Sequence, residues 1–291
     1  MRSHSSVVVL CVVVLLTASY GFRWWKSIPH ETPQHRHQVE EIPTTSGTMV
    51  PKAEGELTKF GEPAAHRIVG PFHILRNQGY VSGYDAGIQD PRWVETRFFA
   101  VNSPTSAGRP GEFSPDYRIE SEYQVTTHCW TGTGYDRGHM APNCGVSICY
   151  GRSAQIETFL LTNVIPQSPE LNRGLWETLE KIISNDYAER FGQVWVICGP
   201  IFASNPATLK DGKIAIPERC YKIVLRMSEG GPHVLAFEMP QALPMGHRQS
   251  DLLQYMTSVS QVEKDTEITF FPDLAEPQRQ IVEEEKPAAM W

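Results

Sequence analysis

The stretch YDRGHMAPN, residues 135–143, places an acid, an arginine, a histidine and an asparagine within a few positions of one another. Histidine has the side-chain pKa nearest to neutrality, so His139 is a candidate general base. A single histidine is more often structural or solvated, and the same stretch is compatible with a polar turn. The chemical interpretation therefore depends on what else the fold brings to His139.

Oxygen-bearing side chains that suit a hard cation follow later in the chain. Apolar residues at intervals of three and four predict an amphipathic helix in SPELNRGLWETLEKIISNDYAERFG, ending near Gly192. Asn172 lies near its start and Glu180 about two turns later, so both side chains are expected on roughly the same face. An amide oxygen and a carboxylate suit Mg2+. Taken singly, Asn172 reads as a helix cap and Glu180 as a solvated charge. The apolar residues of this helix are Leu171, Leu175, Leu179, Ile182 and Ile183.

Two ordered motifs give the chain a resemblance to a known family. DRGHMAPN at 136–143 and TFLLTNVIPQSPELNRGLWETLE at 158–180 resemble the sugar-nonspecific DNA/RNA endonucleases of the ββα-metal (His-Me finger) fold. That family includes endonuclease G and secreted bacterial nucleases. Weaker similarity extends from about Gly79 to ITFFPDL, which covers most of the body.

The resemblance implies a role for each residue that matches the motifs. His139 is expected to take a proton from the water that attacks phosphorus. Asn172 is expected to be the direct protein ligand of one Mg2+, with Mn2+ as a substitute, and Glu180 to hold the ion's waters. Asp136 and Gly138 complete the D-R-G-H motif and are expected to support the site structurally.

Three further residues receive roles from the same resemblance. Asn163 is expected to orient His139 or the phosphate, and Arg137 to lie near the metal and the scissile phosphate. Arg109, in the loop SAGRPGEFSPD, is expected to stabilise the charge that develops on phosphorus. Such a site grips phosphate and metal and reads few bases, so it should cleave DNA and RNA without sequence preference. The relatives also suggest a homodimer.

Two other functions remain open at the level of sequence. The chain could be a membrane-tethered nucleic-acid-binding protein with a decayed site, or a phosphodiesterase of small nucleotides. Every catalytic-type residue of the family is present, which favours the endonuclease.

The spacing of apolar residues predicts an α+β fold built on a central antiparallel sheet with flanking helices. Strand-like runs such as QVWVICGPIF, CYKIVLRM and HVLAFEMP outnumber helical ones and do not alternate with them. In AQIETFLLTNVIP a helical start is expected to give way to a short buried strand at 159–164. SDLLQYMTSVSQVEKDT is expected to form a short helix.

The overall charge limits how nucleic acid can be bound. The 291 residues carry a net charge of −7, which argues against a protein that coats nucleic acid by bulk charge. A local basic groove is still compatible with this balance, and the residues expected to form it are Arg109, Arg118, Arg137, Arg152 and Arg173.

The two ends differ in composition from the middle. An apolar run from Val7 to about Ala18 follows Arg2 and His4, which predicts a signal peptide or membrane anchor in 1–26 and hence export. The run is rich in Val and Leu rather than Arg, which disfavours mitochondrial import. Residues 27–58 are proline-rich and read as a linker, 59–275 as the nuclease domain, and 276–291 as a flexible acidic tail.

Five of the six cysteines lie in the body. Cys144 and Cys149 are candidates for a local disulfide if the protein is exported. Their spacing is a poor match to a zinc site, which needs tighter pairs of ligands.

Overall fold

A computed structural model describes residues 54–291, except 211–212, 244–245 and 247. The leader 1–26 and residues 27–53 of the expected linker lie outside the described residues. The last part of that linker is structured: α1 (Glu54–Leu57) leads into the body, and Leu57 is buried in the core. Within the described residues, no helix is long and apolar enough to cross a membrane.

The body is built on a seven-stranded sheet in which every neighbouring pair is antiparallel. The expected α+β fold with a central antiparallel sheet is therefore confirmed. The strands are β2 (Phe72–Arg76), β3 (Tyr80–Asp85), β4 (Asp90–Phe99), β7 (Gln193–Ile201), β8 (Arg219–Ser228), β9 (Gly231–Pro240) and β10 (Met256–Thr257). Their order across the sheet is β10-β9-β8-β7-β4-β3-β2.

Two short antiparallel pairs lie outside this sheet. β1 (Ala64–Ala65) pairs with β11 (Ile268–Thr269), and β5 (Asp136–His139) pairs with β6 (Val164–Gln167). The short buried strand expected at 159–164 is thus displaced: it begins at Val164, because residues Leu161–Asn163 form a 3-10 turn. The shift matters for function, since β6 supplies the second strand of the ββα motif.

The helices are α2 (Asn143–Glu157), α3 (residues 169–191), α4 (Val259–Thr266) and α5 (Gln278–Glu284). Short 3-10 turns occur at Ser121–Tyr123, Thr127–Trp130 and Gln249–Tyr255. The short helix expected in SDLLQYMTSVSQVEKDT is therefore divided into the 3-10 turn at Gln249–Tyr255, β10 and α4.

The predicted amphipathic helix is confirmed as α3, although its winding is irregular. α-Helical segments at Pro169–Leu171, Glu177–Lys181 and Ala188–Phe191 alternate with wide π-type turns at Asn172–Trp176 and Ile182–Tyr187. The helix stops at Gly192, whose φ of +75° is readily adopted by glycine. Leu171, Leu175, Leu179 and Ile183 are buried as expected, whereas Ile182 is only partly buried.

The prediction of a flexible tail at 276–291 is wrong. The segment forms α5, and Val282 on that helix is fully buried. The final residue, Trp291, packs against Tyr187 and Phe191 of α3 with ring centroids 5.3 Å and 5.5 Å apart. Buried apolar side chains attach the segment to the body, although Glu is its commonest residue and its composition resembles that of a flexible tail.

Candidate active site

The paired strands β5 and β6 and the start of α3 form a ββα unit that carries both sequence motifs. In its register, His139 lies opposite Val164 and Asp136 opposite Gln167. Ser168 caps α3 by accepting a hydrogen bond from the Leu171 backbone, which starts the helix directly after β6. The two motifs, which are separated in sequence, therefore meet in one structural unit.

Gly138 on β5 leaves room for the Gln167 side chain of β6. A Cβ atom at this position would lie 2.0 Å from Oε1 of Gln167, a side chain that is completely buried. Any other residue would force the strands apart or displace Gln167. This supports the structural role expected for Gly138.

A cleft of about 510 Å³ opens beside this unit. Five residues expected from the sequence to act in catalysis or metal binding line it: Arg109, Arg137, His139, Asn172 and Glu180. Asp136, Arg173, Glu177, Lys181 and Cys144 also reach its surface. The cleft thus unites the candidate base, the candidate metal ligands and several positive charges.

His139 is held between two phenyl rings. Its ring centroid lies 5.1 Å from that of Phe113 and 4.9 Å from that of Phe159, and Nε2 is buried with no hydrogen-bond partner among the described residues. Burial, together with the nearby Arg109 guanidinium, lowers the pKa of His139 to about 3. The imidazole is therefore neutral at neutral pH, the form that can accept a proton.

An arginine lies over each of the two rings that hold His139. The guanidinium carbon of Arg109 is 5.0 Å from the centroid of Phe159, and that of Arg137 is 5.5 Å from the centroid of Phe113. These distances fit cation–π contacts. Arg137 also donates to the carbonyl of Thr127 at 3.3 Å, whereas Arg109 is exposed to the cleft. Both cations are positioned at the cleft without a carboxylate partner within 4 Å among the described residues.

Residues of α2 hold the loop that carries Arg109. Ser147 accepts a hydrogen bond from the Ala107 backbone at 3.1 Å, and Gln155 donates to the Ala107 carbonyl at 3.2 Å. Arg152 donates to the carbonyl of Gly108. Arg152 therefore holds the loop in place and does not contribute to the basic groove expected from the sequence.

The five arginines of the expected basic groove do not all reach the cleft. Arg109, Arg137 and Arg173 line it. Arg118 instead forms an ion pair with Asp116 at 2.6 Å and donates to the Arg76 carbonyl at 2.9 Å. The positive charge at the cleft is consequently local, in keeping with the acidic balance of the whole chain.

Asp136 fixes the orientation of the Asn172 amide. Nδ2 of Asn172 donates to Oδ2 of Asp136 at 2.9 Å, and Arg173 donates to both oxygens of the same carboxylate. Burial alone would raise the pKa of Asp136, but the hydrogen bonds from Arg173 and Asn172 hold the pKa below its usual value. With Nδ2 bonded to Asp136, the oxygen of Asn172 is the atom left for a cation.

The wide turn at the start of α3 brings Asn172 and Glu180 into phase. In a regular α-helix, eight residues advance about 80° beyond two full turns. A π-type turn accommodates one extra residue, which reduces the mismatch to roughly 20°. The turn spans Asn172–Trp176, and Gly174 within it has φ −105° and ψ −114°. Both side chains accordingly line the cleft.

A buried lysine lies beneath Glu180. Nζ of Lys222, on β8, is 3.3 Å from Oε1 of Glu180 and 3.9 Å from the centroid of the Trp176 ring. The Lys222 side chain is 1% exposed, whereas that of Glu180 is 18% exposed. Burial raises the pKa of Glu180, and the Lys222 charge opposes this shift.

Asn163 is completely buried and bonded to the main chain. Its Oδ1 accepts from the Ala141 backbone at 2.8 Å, and its Nδ2 donates to the carbonyls of Ala141 and Thr158. Its own carbonyl accepts from the Met140 backbone at 3.0 Å. Asn163 is absent from the cleft lining. These bonds favour the orienting role over contact with phosphate, because they fix the main chain directly after His139.

The candidate disulfide between Cys144 and Cys149 is not formed, and both residues are free thiols. Both lie on α2, and five residues along a helix turn the side chains roughly 140° apart. Cys144 is exposed at the cleft, whereas Cys149 is buried and directed at the Phe99 carbonyl.

Three residues of this region were missed at the level of sequence. Phe113 and Phe159 hold His139, but each stands alone in a loop or at a helix end, without a repeating pattern. Backbone hydrogen bonds between Ser114 and the 159–161 segment bring the two rings together. Lys222 had a readable signal, since it is a single charge within the buried run CYKIVL.

Comparison with known proteins agrees with this arrangement. Residues 69–276 match the family described as DNA/RNA non-specific endonuclease. Nuclease EXOG, mitochondrial, of Danio rerio is 30% identical over 238 residues, covering 74% of this chain and 67% of the relative. The Xenopus laevis protein of the same name is 32% identical over 207 residues, covering 66% of this chain and 56% of the relative. The chain therefore spans between about half and two thirds of these relatives.

A solved structure shares the fold. A chain in the crystal structure of the EndoG/EndoGI complex superposes with a TM-score of 0.66, at 24% sequence identity, over 83% of this chain and all of that chain. The likeness confirms the expected ββα-metal nuclease fold. Together with the match over residues 69–276, it establishes that the chain belongs to the DNA/RNA non-specific endonuclease family.

Proposed function

We propose that this protein is a Mg2+-dependent endonuclease that hydrolyses phosphodiester bonds in DNA and RNA without sequence or sugar preference. The observation that carries the proposal is the convergence of a neutral His139 and an oriented Asn172 amide in one cleft lined by arginines. Nothing in this set of groups recognises a 2′-hydroxyl or a base edge, which supports broad substrate use.

The protein's own side chains account for proton transfer and charge stabilisation. Neutral His139 accepts the proton of the attacking water. Exposed Arg109 stabilises the negative charge that develops on the phosphate oxygens. Arg137, which lies over the Phe113 ring on the other side of His139, provides a second positive charge for the phosphate. Asn163 keeps the chain after His139 in place through its main-chain hydrogen bonds.

The donors present fit a hard cation. Asn172 offers its amide oxygen, fixed by the bond from Nδ2 to Asp136, and Glu180 offers carboxylate oxygen to the ion's waters. Oxygen donors with few direct protein ligands suit Mg2+, and Mn2+ accepts the same donors. When bound, the ion supplies positive charge to the nonbridging and leaving oxygens.

Digestion of plasmid DNA and of RNA, with Mg2+ and with EDTA, tests the proposal. Cleavage with Mg2+ that stops with EDTA and in His139→Ala supports it, and His66→Ala, an exposed histidine, is the matched control. If the pure protein binds DNA but cleaves neither polymer with Mg2+, the endonuclease is ruled out in favour of a binding protein. Hydrolysis of bis(p-nitrophenyl) phosphate alone would indicate a small-substrate phosphodiesterase.

Export through residues 1–26, either secreted, periplasmic or anchored to the membrane, is also proposed. It is supported by the apolar leader alone, and the EXOG relatives carry the word mitochondrial in their names. Fractionation of cells producing the full chain, with N-terminal sequencing of the product, distinguishes these cellular locations. Homodimer formation and membrane contact remain predictions, and light scattering on the purified protein measures the former.

A further inference from the structure

Lys222 is a buried cation whose polar contact is with the candidate metal site. It lies on β8, paired with Cys198 on β7 and Phe237 on β9, in the interior of the central sheet. Its side chain is 1% exposed. Burying an ammonium group is unfavourable unless it is paired, and a methionine would fill the same space without that penalty. The charge at this position therefore calls for an explanation other than packing.

The contacts of Lys222 converge on two residues of α3. Nζ donates to Oε1 of Glu180 at 3.3 Å and lies 3.9 Å above the ring of Trp176. The ring face supports the ammonium from below by a cation–π contact. Trp176 is itself 1% exposed, so the ammonium is held in a fixed place relative to the helix.

The Glu180 side chain lies between Lys222 and the cleft. One carboxylate oxygen is bonded to Lys222, while the side chain also lines the cleft that contains Asn172. A carboxylate held through one oxygen presents the other in a defined direction. This is the arrangement required of a group that binds the waters of a cation rather than the cation itself.

We propose that Lys222 is a positioning residue, which holds the Glu180 carboxylate from beneath so that its second oxygen faces the waters of the bound cation. This rests on the proposed function, because it assigns Lys222 to the same metal site. The residue acts from the central sheet, a different structural layer from the ββα unit, and so couples the placement of α3 on the sheet to the geometry of the site.

Direct titration with Mn2+, followed by electron paramagnetic resonance of the free ion, tests the proposal without turnover. In Lys222→Met we expect about 10–100-fold weaker Mn2+ binding. In the Glu180→Gln background the same substitution should have little further effect, because Lys222 acts through Glu180. Wild-type affinity in Lys222→Met, tighter binding, or a full additional loss in the Glu180→Gln background would overturn the proposal.

A matched control separates positioning from loss of stability. Arg92 is another buried cation on the central sheet, 8% exposed and bonded to the Thr266 carbonyl, but it does not line the cleft. Arg92→Met should lower the free energy of unfolding without changing Mn2+ affinity. If Lys222→Met does not fold, Lys222→Gln, which also removes the charge, replaces it. Weaker Mn2+ binding than in the wild type, with no further weakening when Lys222→Gln is added to Glu180→Gln, supports the proposal, and wild-type affinity contradicts it.

The two proposals can fail separately. If the Mn2+ affinity of the protein depends on Lys222 as expected but the wild type cleaves no nucleic acid, only the proposed nuclease activity is refuted. A protein that cleaves DNA and RNA while Lys222→Met binds Mn2+ as the wild type does would refute only the role of Lys222.

Discussion

Nδ2 of Asn172 donates a 2.9 Å hydrogen bond to Oδ2 of Asp136, which turns the first residue of the D-R-G-H motif towards the helix that carries the candidate metal ligand. The bond joins β5 to α3 and determines which atom of the Asn172 amide faces the cleft. Arg173 shares the same carboxylate.

Asp136→Ala is expected to weaken Mn2+ binding and to lower kcat/KM with Mg2+, each by about 10–100-fold, because the Asn172 amide loses its orienting acceptor. Mn2+ titration and cleavage of a fluorescent oligonucleotide measure the two effects. Arg173→Gln is the control: this side chain is 69% exposed, and an exposed ion pair contributes little, so its effect should stay within a few fold. Equal losses in the two variants would indicate that Asp136 acts by holding the Arg173 charge in place and not by orienting the Asn172 amide.

The pKa of His139, lowered to about 3, gives a specific dependence of stability on pH. In the unfolded chain the pKa is about 6.5, so the unfolded state binds more protons between these values and stability falls as the pH drops below 6.5. From pH 7.5 to pH 5, the wild type should lose about 2 kcal/mol more free energy of unfolding than His139→Gln. Urea denaturation at the two pH values measures this difference, and NMR of labelled histidine should show a neutral His139 at pH 5. A His139 that titrates near pH 6.5 would contradict the expectation.

Arg109→Gln should reduce kcat by about 100-fold or more with a small change in KM, because its charge is expected to act on the transition state. Steady-state kinetics on a short duplex separates the two parameters. Arg190→Gln serves as the control, since Arg190 is exposed and paired with Asp186 on α3 outside the cleft lining. A rise in KM at unchanged kcat would show that Arg109 only helps to bind the substrate.

Gly138→Ala should destabilise the protein by about 1–3 kcal/mol, because the new Cβ would lie 2.0 Å from Oε1 of Gln167. Gln167→Ala in the same chain removes the clashing atoms and should recover part of the loss, so the two substitutions should not be additive. Chemical denaturation of the single and double variants measures this coupling. Additive losses would place the strain elsewhere.

Much of this architecture could be read from local patterns. The spacing of Leu171, Leu175 and Leu179 predicts α3, and the apolar runs predict β7, β8 and β9, because burial of one face or of a whole strand leaves a direct trace in sequence. The motifs likewise place His139 and Asn172 in one cleft.

The remaining features depend on contacts between distant segments. Phe113 meets His139 because backbone bonds of Ser114 join its loop to the end of α2, and Lys222 on the sheet meets Glu180 on α3. No local period encodes such pairings. The composition of residues 276–291 does not predict their packing, because Val282 and Trp291 are only two apolar contacts in a charged segment.

The wide turn at Asn172–Trp176 sets a limit on which changes of chain length this protein can accept. Removing one residue from the turn could restore regular winding, and the seven-residue spacing then left would keep Glu180 within about 20° of Asn172. Inserting one residue between them would instead rotate everything after the insertion by about 100° around the helix axis. The carboxylate would then leave both the cleft and Lys222, although no functional residue had been substituted. Homologues of this chain should therefore accept a single deletion in the turn far better than an insertion within it.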